Sequence, residues 1–149
     1  MEEKMRVHKN FGFVVGCLVL GISTPSHAQH MNEADAPCRG VEQTYQLSKC
    51  FSEASQKDSD NLEKLYRDIQ SVLSISEKNK LEISQDYWEK YSKSECEAES
   101  MLYDGGTGRV PALLACDDAI LRQRIATLKA GFNWKLIQGM PAKYFHKQQ

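Results

Sequence analysis

Cysteine is the residue type with the most chemistry to offer in this chain. Cys38, Cys50, Cys96 and Cys116 stand in its body, and Cys17 sits in an apolar leader. Thiolates ligate metals or pair as disulfides, and spacing and compartment decide between the two. No Cys-x2-Cys spacing occurs, and His30 and His146, the histidines beyond the leader, lie near opposite ends of the chain. A closed metal site needs clustered ligands, so no metal is expected. An even cysteine count in an exported chain reads instead as two disulfides.

Other reactive patterns are thin. Glu95, Glu97 and Glu99 invite a reading as paired carboxylates for acid–base work. Residues two apart on a helix point about 200° away from each other, however, and a solvated charge run is the simpler meaning. No histidine accompanies a nucleophile, and no Gly-x-Ser-x-Gly or phosphate-cradling loop is present. The chain is therefore not expected to be an enzyme, nor to carry a cofactor. With 19 Lys and Arg against 20 Asp and Glu, and no basic face interleaved with aromatics, nucleic-acid binding lacks its usual electrostatic source.

The export reading comes from the first residues. Lys4, Arg6 and Lys9 precede an apolar run from Phe11 to Ile22, and Ser26-His27-Ala28 offers small residues where a signal peptidase cuts. The run is shorter than the roughly 20 residues of a membrane span. Residues 1–28 are thus expected to be removed after Ala28, leaving no stable membrane span and a periplasmic or secreted protein. A lipoprotein anchored at Cys17 is the lesser alternative, because only part of the apolar run precedes that cysteine. Cleavage leaves about 120 residues, one domain's worth.

Residues 29–37 are polar and without apolar periodicity, a flexible lead-in. Leu62, Leu65, Tyr66, Ile69 and Leu73 fall on one helix face, predicting a long first helix from Val41 to about Leu73, with a bend allowed between Ser52 and Asp60. Ser74 and Ser76 provide a turn and cap. Leu81, Trp88, Tyr91, Ala98 and Leu102 mark the expected buried face of a second helix ending near Tyr103. The stretch Asp104-Gly105-Gly106-Thr107-Gly108 is too rich in glycine to stay helical. Pro111 suits the first turn of a third helix, with Leu113, Leu114, Ile120, Leu121, Ile125 and Leu128 on its apolar side and Gly131 as its stop.

This layout ranks the disulfide pairings. Cys96 and Cys116 are equally distant from Gly106, so a hairpin folded there brings the sulfurs level. A straight helix from residue 38 to 50 would hold its ends about 18 Å apart, beyond the roughly 4.4–6.8 Å that a disulfide spans. The chain must therefore turn near Gly40 for Cys38 to reach Cys50. Pairing Cys50 with Cys96 remains the runner-up, since those residues lie at unequal distances from Ser76.

The cysteines and aromatic motifs together resemble the lysozyme-inhibitor LprI-like family of exported bacterial proteins. That family shows a close cysteine pair, then Asp-x-x-Leu-Asn-x-x-Tyr, then Leu-x-x-x-Gln-x-x-Trp-x-x-Tyr-Arg followed by a cysteine, and a last cysteine followed by Arg and Leu. Here Cys38 and Cys50 fill the first pair, Leu62 and Tyr66 the second motif, Leu81, Gln85, Trp88, Tyr91 and Cys96 the third, and Cys116, Arg124 and Leu128 the last. Ser59, Glu63 and Ser92 replace the usual Asp, Asn and Arg. If those positions form a buried network in relatives, Asp58 or Asp60 is expected to serve here. The resemblance implies a helical domain over 38–130 and a protein-binding role.

The expected fold is all-α, a disulfide-stapled bundle of about three antiparallel helices with a docked C-terminal tail over 131–149. Trp88 and Tyr91 are read as core residues. Two places are candidate partner-binding surfaces: the loop Asp104, Gly105, Gly106, Thr107, Gly108 and Arg109 at the hairpin tip, and the tail with Trp134, Tyr144 and Phe145. Too apolar for a free end, that tail must dock on its own domain or on a partner. The expected partner is a lysozyme-like muramidase or another envelope protein, with inhibition by occlusion of the cleft. The alternative is a non-inhibitory structural or assembly factor of the cell envelope.

Overall fold

The computed structural model describes residues 30–139; the expected cleavage site at Ala28, Cys17, Tyr144 and Phe145 lie outside the described residues. Three helices follow a short 3-10 turn at His30–Asn32: α1 (Thr44–Val72), α2 (Ile75–Ser100) and α3 (Arg109–Gly139). The order is up-down-up. α3 is the central element, packed most extensively against α1 and along its other side against α2.

Each boundary has a local cause. Gly40 takes a φ of 86°, the left-handed turn that lets Cys38 double back onto α1. α1 then runs unbroken through the polar stretch 52–60, so the bend allowed there does not form. Its apolar residues Phe51, Leu62 and Ile69 face α3 on either side of that stretch. Ser74 caps α2 through a reciprocal capping box with Glu77. α2 ends in a 3-10 turn at Met101–Tyr103, and Gly105 with φ 77° reverses the chain.

The buried residues form three clusters along the bundle. The largest joins Leu62, Ile69, Leu73, Leu81, Ile125 and Leu128, with Tyr66, Trp88, Phe132 and Leu136 packed against it. A second holds Cys96, Cys116 and Ile120. The third, around Cys38, Phe51, Ala36 and Ala115, closes the N-terminal end.

Three expectations need correcting. Gly131 does not stop α3, which continues through it to Gly139. Glycine lacks a side chain but retains helical backbone angles when flanking turns are packed, and Phe132 and Leu136 pack here. The segment expected to be a tail is therefore, as far as 139, the last turns of α3. Second, the lead-in packs on the bundle over its described residues, 30–37: Ala36 is buried, and Asp35 meets Arg122 of α3 at 2.9 Å. Third, α2 turns Leu81 and Trp88 inwards as expected but not the rest of the expected face. Leu81, Gln85, Trp88, Ser92, Cys96 and Ser100 turn inwards to varying depth, whereas Tyr91, Ala98 and Leu102 are exposed.

The position of Gly131 yields a test. It is exposed, its φ is helical, and an added Cβ would meet nothing within 4 Å. Gly131→Ala should therefore raise the unfolding free energy by about 0.5–1 kcal/mol. Urea titration of the two proteins measures it.

Candidate functional site

Two disulfides hold the framework, Cys38–Cys50 with Cα atoms 5.9 Å apart and Cys96–Cys116 with Cα atoms 5.4 Å apart. Both match the favoured pairing, and the Cys50–Cys96 alternative is excluded. The Cys96–Cys116 bond is fully inside the bundle. It joins α2 and α3 below the glycine loop.

The motif residues converge on one structural pin. Arg124, almost fully buried, reaches from α3 to α2, donating from Nε to Gln85 Oε1 at 3.2 Å and from Nη2 to Ser84 Oγ at 3.3 Å. Its guanidinium lies 5.6 Å from the Trp88 ring, a cation–π distance. Burial lowers the Arg124 pKa, and the nearby Tyr66 opposes that shift. Leu62, Leu81 and Leu128 pack in the same cluster. These residues explain the fold; they present no reactive group to solvent. Tyr91 alone stands apart, 54 % exposed and outside the pin.

Ser59 and Glu63 are exposed and Ser92 only half-buried, so these three positions form no buried network. Glu63 pairs with Arg67, Asp58 accepts from Asn61 at 3.1 Å and Asp60 from Gln56 at 2.9 Å. All are local contacts on the outer surface of α1. The expected substitution of Asp58 or Asp60 into a buried network is thereby corrected.

The hairpin tip is braced. Arg109 donates from Nη1 to Asp104 Oδ1 at 3.2 Å and from Nη2 to Glu97 Oε1 at 2.7 Å, bridging the start of α3, the loop and α2. Gly105, Gly106 and Thr107 are exposed between these anchors, and Gly108 rests on the Tyr103 ring. Met101, Leu102 and Val110 are exposed beside the loop. The tip is thus a fixed backbone loop with apolar shoulders. Trp134 is 55 % exposed near the other end of α3, so this residue of the second candidate surface is not brought to the hairpin tip.

Sequence reasoning missed the clamp that seats the lead-in. His30 Nδ1 lies 2.5 Å from Glu99 Oε2, and Arg122 contacts Asp118 at 2.9 Å, Asp35 at 2.9 Å and Glu33 at 3.7 Å. Burial pushes the Asp118 carboxyl above its usual range, with Arg122 opposing. The spacing Asp118-x-x-x-Arg122 is the one signal that was available. His30, Glu99 and Cys116 also come together at metal-ligand distances, but the Cys116 sulfur is already bonded to Cys96 and offers no thiolate.

A groove of about 610 Å³ between α1 and α3 is lined by Asp58, Asn61, Lys64, Asp68, Arg122 and Lys129. Lys64 is paired with Asp68 and Arg122 with Asp118, so its cations are largely internally neutralised. No described helix is long and apolar enough to cross a membrane.

A further contact ties the far end of the bundle. The Ser74 backbone N–H donates to Glu77 Oε2 at 2.8 Å, and Lys135 of α3 meets Glu77 Oε1 at 3.1 Å. The bond from Ser74 and the lysine hold the Glu77 carboxyl down at about 2, from 4.5. A lowered folded-state pKa gives stability that is present above pH 4.5 and lost as pH falls towards 2. Asp118 acts in the opposite sense, since its raised pKa favours the fold on acidification. The difference between proteins is therefore the readout: Glu77→Gln should flatten the fall in melting temperature across that acid window, followed by circular dichroism.

No curated protein and no solved structure matches the chain. The model of one family, described as lysozyme inhibitor LprI, matches residues 34–128, a span that contains both disulfides, the Arg124 pin and the braced tip. On that match the chain belongs to the lysozyme inhibitor LprI family.

Proposed function

We propose that this protein is exported, folds with its two disulfides in an oxidising compartment, and inhibits a lysozyme-like muramidase by occluding its substrate cleft. The family match over residues 34–128 carries this reading, because the family is one of inhibitors rather than catalysts. The hairpin tip is the occluding element. Cys96–Cys116 and the Arg109 bridges hold it, which lowers the conformational entropy left to be lost on binding. Leu102 and Val110 supply apolar surface to bury, and the exposed backbone at Gly105 offers an N–H donor to the carboxylates that such a cleft carries.

The purified oxidised protein should slow cell-wall lysis by at least one muramidase at near-stoichiometric concentration. Leu102→Asp and Val110→Asp should abolish the effect while leaving the helical spectrum unchanged, because both side chains already face solvent. Without residues 1–28 the chain holds 16 Lys and Arg against 18 Asp and Glu, which gives only modest attraction to a basic enzyme, so salt should weaken inhibition slightly. No inhibition of chicken-type, goose-type, invertebrate-type or bacterial muramidases would refute the reading and leave a structural role in the envelope.

A further inference from the structure

The outward face of α2 carries an order that its packing does not use. Ile83, Tyr87 and Tyr91 are 52 %, 68 % and 54 % exposed, and their spacing of four residues lines them along one side of the helix. That side points away from α3, which receives Leu81, Trp88 and Cys96. Lys80 continues the stripe at one end and Glu95 at the other. Neither has an ion-pair partner among the described residues, whereas Lys90 and Asp86 beside the stripe pair with each other. A run of large apolar side chains on a solvated helix face loses free energy until something covers it.

We propose that this stripe is a two-fold interface between two copies of the protein. The argument is its self-complementarity. In an antiparallel pair of identical helices centred on Tyr87, each residue faces the one equally far on the other side of the centre. Tyr87 then packs on Tyr87 of the partner subunit, Ile83 on the partner's Tyr91, and Lys80 reaches the partner's Glu95. The register is off by a single residue at the charged ends, about 1.5 Å along a helix, which a lysine side chain absorbs. A cation at one end and an anion at the other would repel in a parallel pair and attract in an antiparallel one, so the charges select the isologous arrangement. Lys90 and Asp86 can exchange partners across the same axis. The inference stands independently of muramidase inhibition, since the stripe lies on α2 and not at the hairpin tip.

Sedimentation of the purified oxidised protein over about a hundredfold range of concentration should show a reversible monomer–dimer equilibrium. Lys80→Glu and Glu95→Lys should each weaken it by about tenfold, because symmetry places every charged contact twice. The double variant should restore it. Tyr87→Glu should give a monomer with an unchanged helical spectrum. A monomer at every concentration would overturn the proposal, as would a dimer indifferent to Tyr87→Glu or a double variant no better than the singles. A chain that dimerises only after removal of residues 140–149 would overturn it too, by showing that its own C-terminal residues cover the stripe.

Discussion

Replacing Cys96 and Cys116 together by alanine is expected to lower the unfolding free energy by about 3 kcal/mol, within the 2–5 kcal/mol range for lost native disulfides. The two residues are 20 apart in sequence, and in the chain-entropy view a loop of that size accounts for most of the loss. Both sulfurs are buried against Ile120, Trp88 and Leu113, so serine in their place would add the cost of unpaired hydroxyls. Alanine isolates the cross-link. Since whole domains are stable by only about 5–15 kcal/mol, this one bond is a large share of the total. Urea unfolding of the double variant against the parent gives the value. A change below about 1 kcal/mol would mean that α2 and α3 are held by packing and by Arg124, and that the bond adds little. The other disulfide closes a loop of 12 and should contribute about 0.5 kcal/mol less in the same view.

Truncation after Gly131 is expected to have the second large effect. The residues removed include Phe132 and Leu136, which pack against the main cluster, and Lys135, which holds Glu77. Each apolar side chain is half-buried. At roughly 1.5–3 kcal/mol for full burial of such a side chain, half-burial of the pair is worth about 1.5–3 kcal/mol. For a domain of this size that lowers the melting temperature by on the order of 10 °C. Trp134→Ala is the companion variant: its ring is mostly exposed and meets Lys135 at 5.3 Å, so it should leave melting nearly unchanged. An unaltered melting temperature on truncation would refute the docked arrangement and assign these turns to a partner.

Part of the molecule was legible before any coordinates. Helix count, the capping at Ser74, the turn at Gly40, the glycine reversal and both disulfide pairings follow from local propensity and from the limited reach of a disulfide. The stripe Leu62, Leu65, Tyr66, Ile69 and Leu73 was also read correctly, since α1 has one apolar face and no competing one. The roles of Gln85 and Arg124 had to wait. Their types say only that they can hydrogen-bond, and that they meet across two helices is a fact of packing.

α2 shows where reading along the chain fails. It carries two apolar stripes, Leu81 with Trp88 and Cys96, and Ile83 with Tyr87 and Tyr91. Helical periodicity marks both equally, because spacing reports that residues share a face and says nothing about which face meets the core. The choice belonged to the tertiary structure: the Cys96–Cys116 bond rotates α2 so that Cys96, and with it Trp88, turns towards α3. Gly131 failed for a related reason. Its intrinsic cost of about 1 kcal/mol in a helix is a local quantity, outweighed by the burial of Phe132 and Leu136 one turn on. By itself the sequence determined the elements, their caps and the covalent staples, all of which depend on neighbours in the chain. Only the folded structure decided which helix face is buried, how far α3 extends and where the lead-in docks, because those outcomes balance local propensity against contacts between residues far apart in sequence.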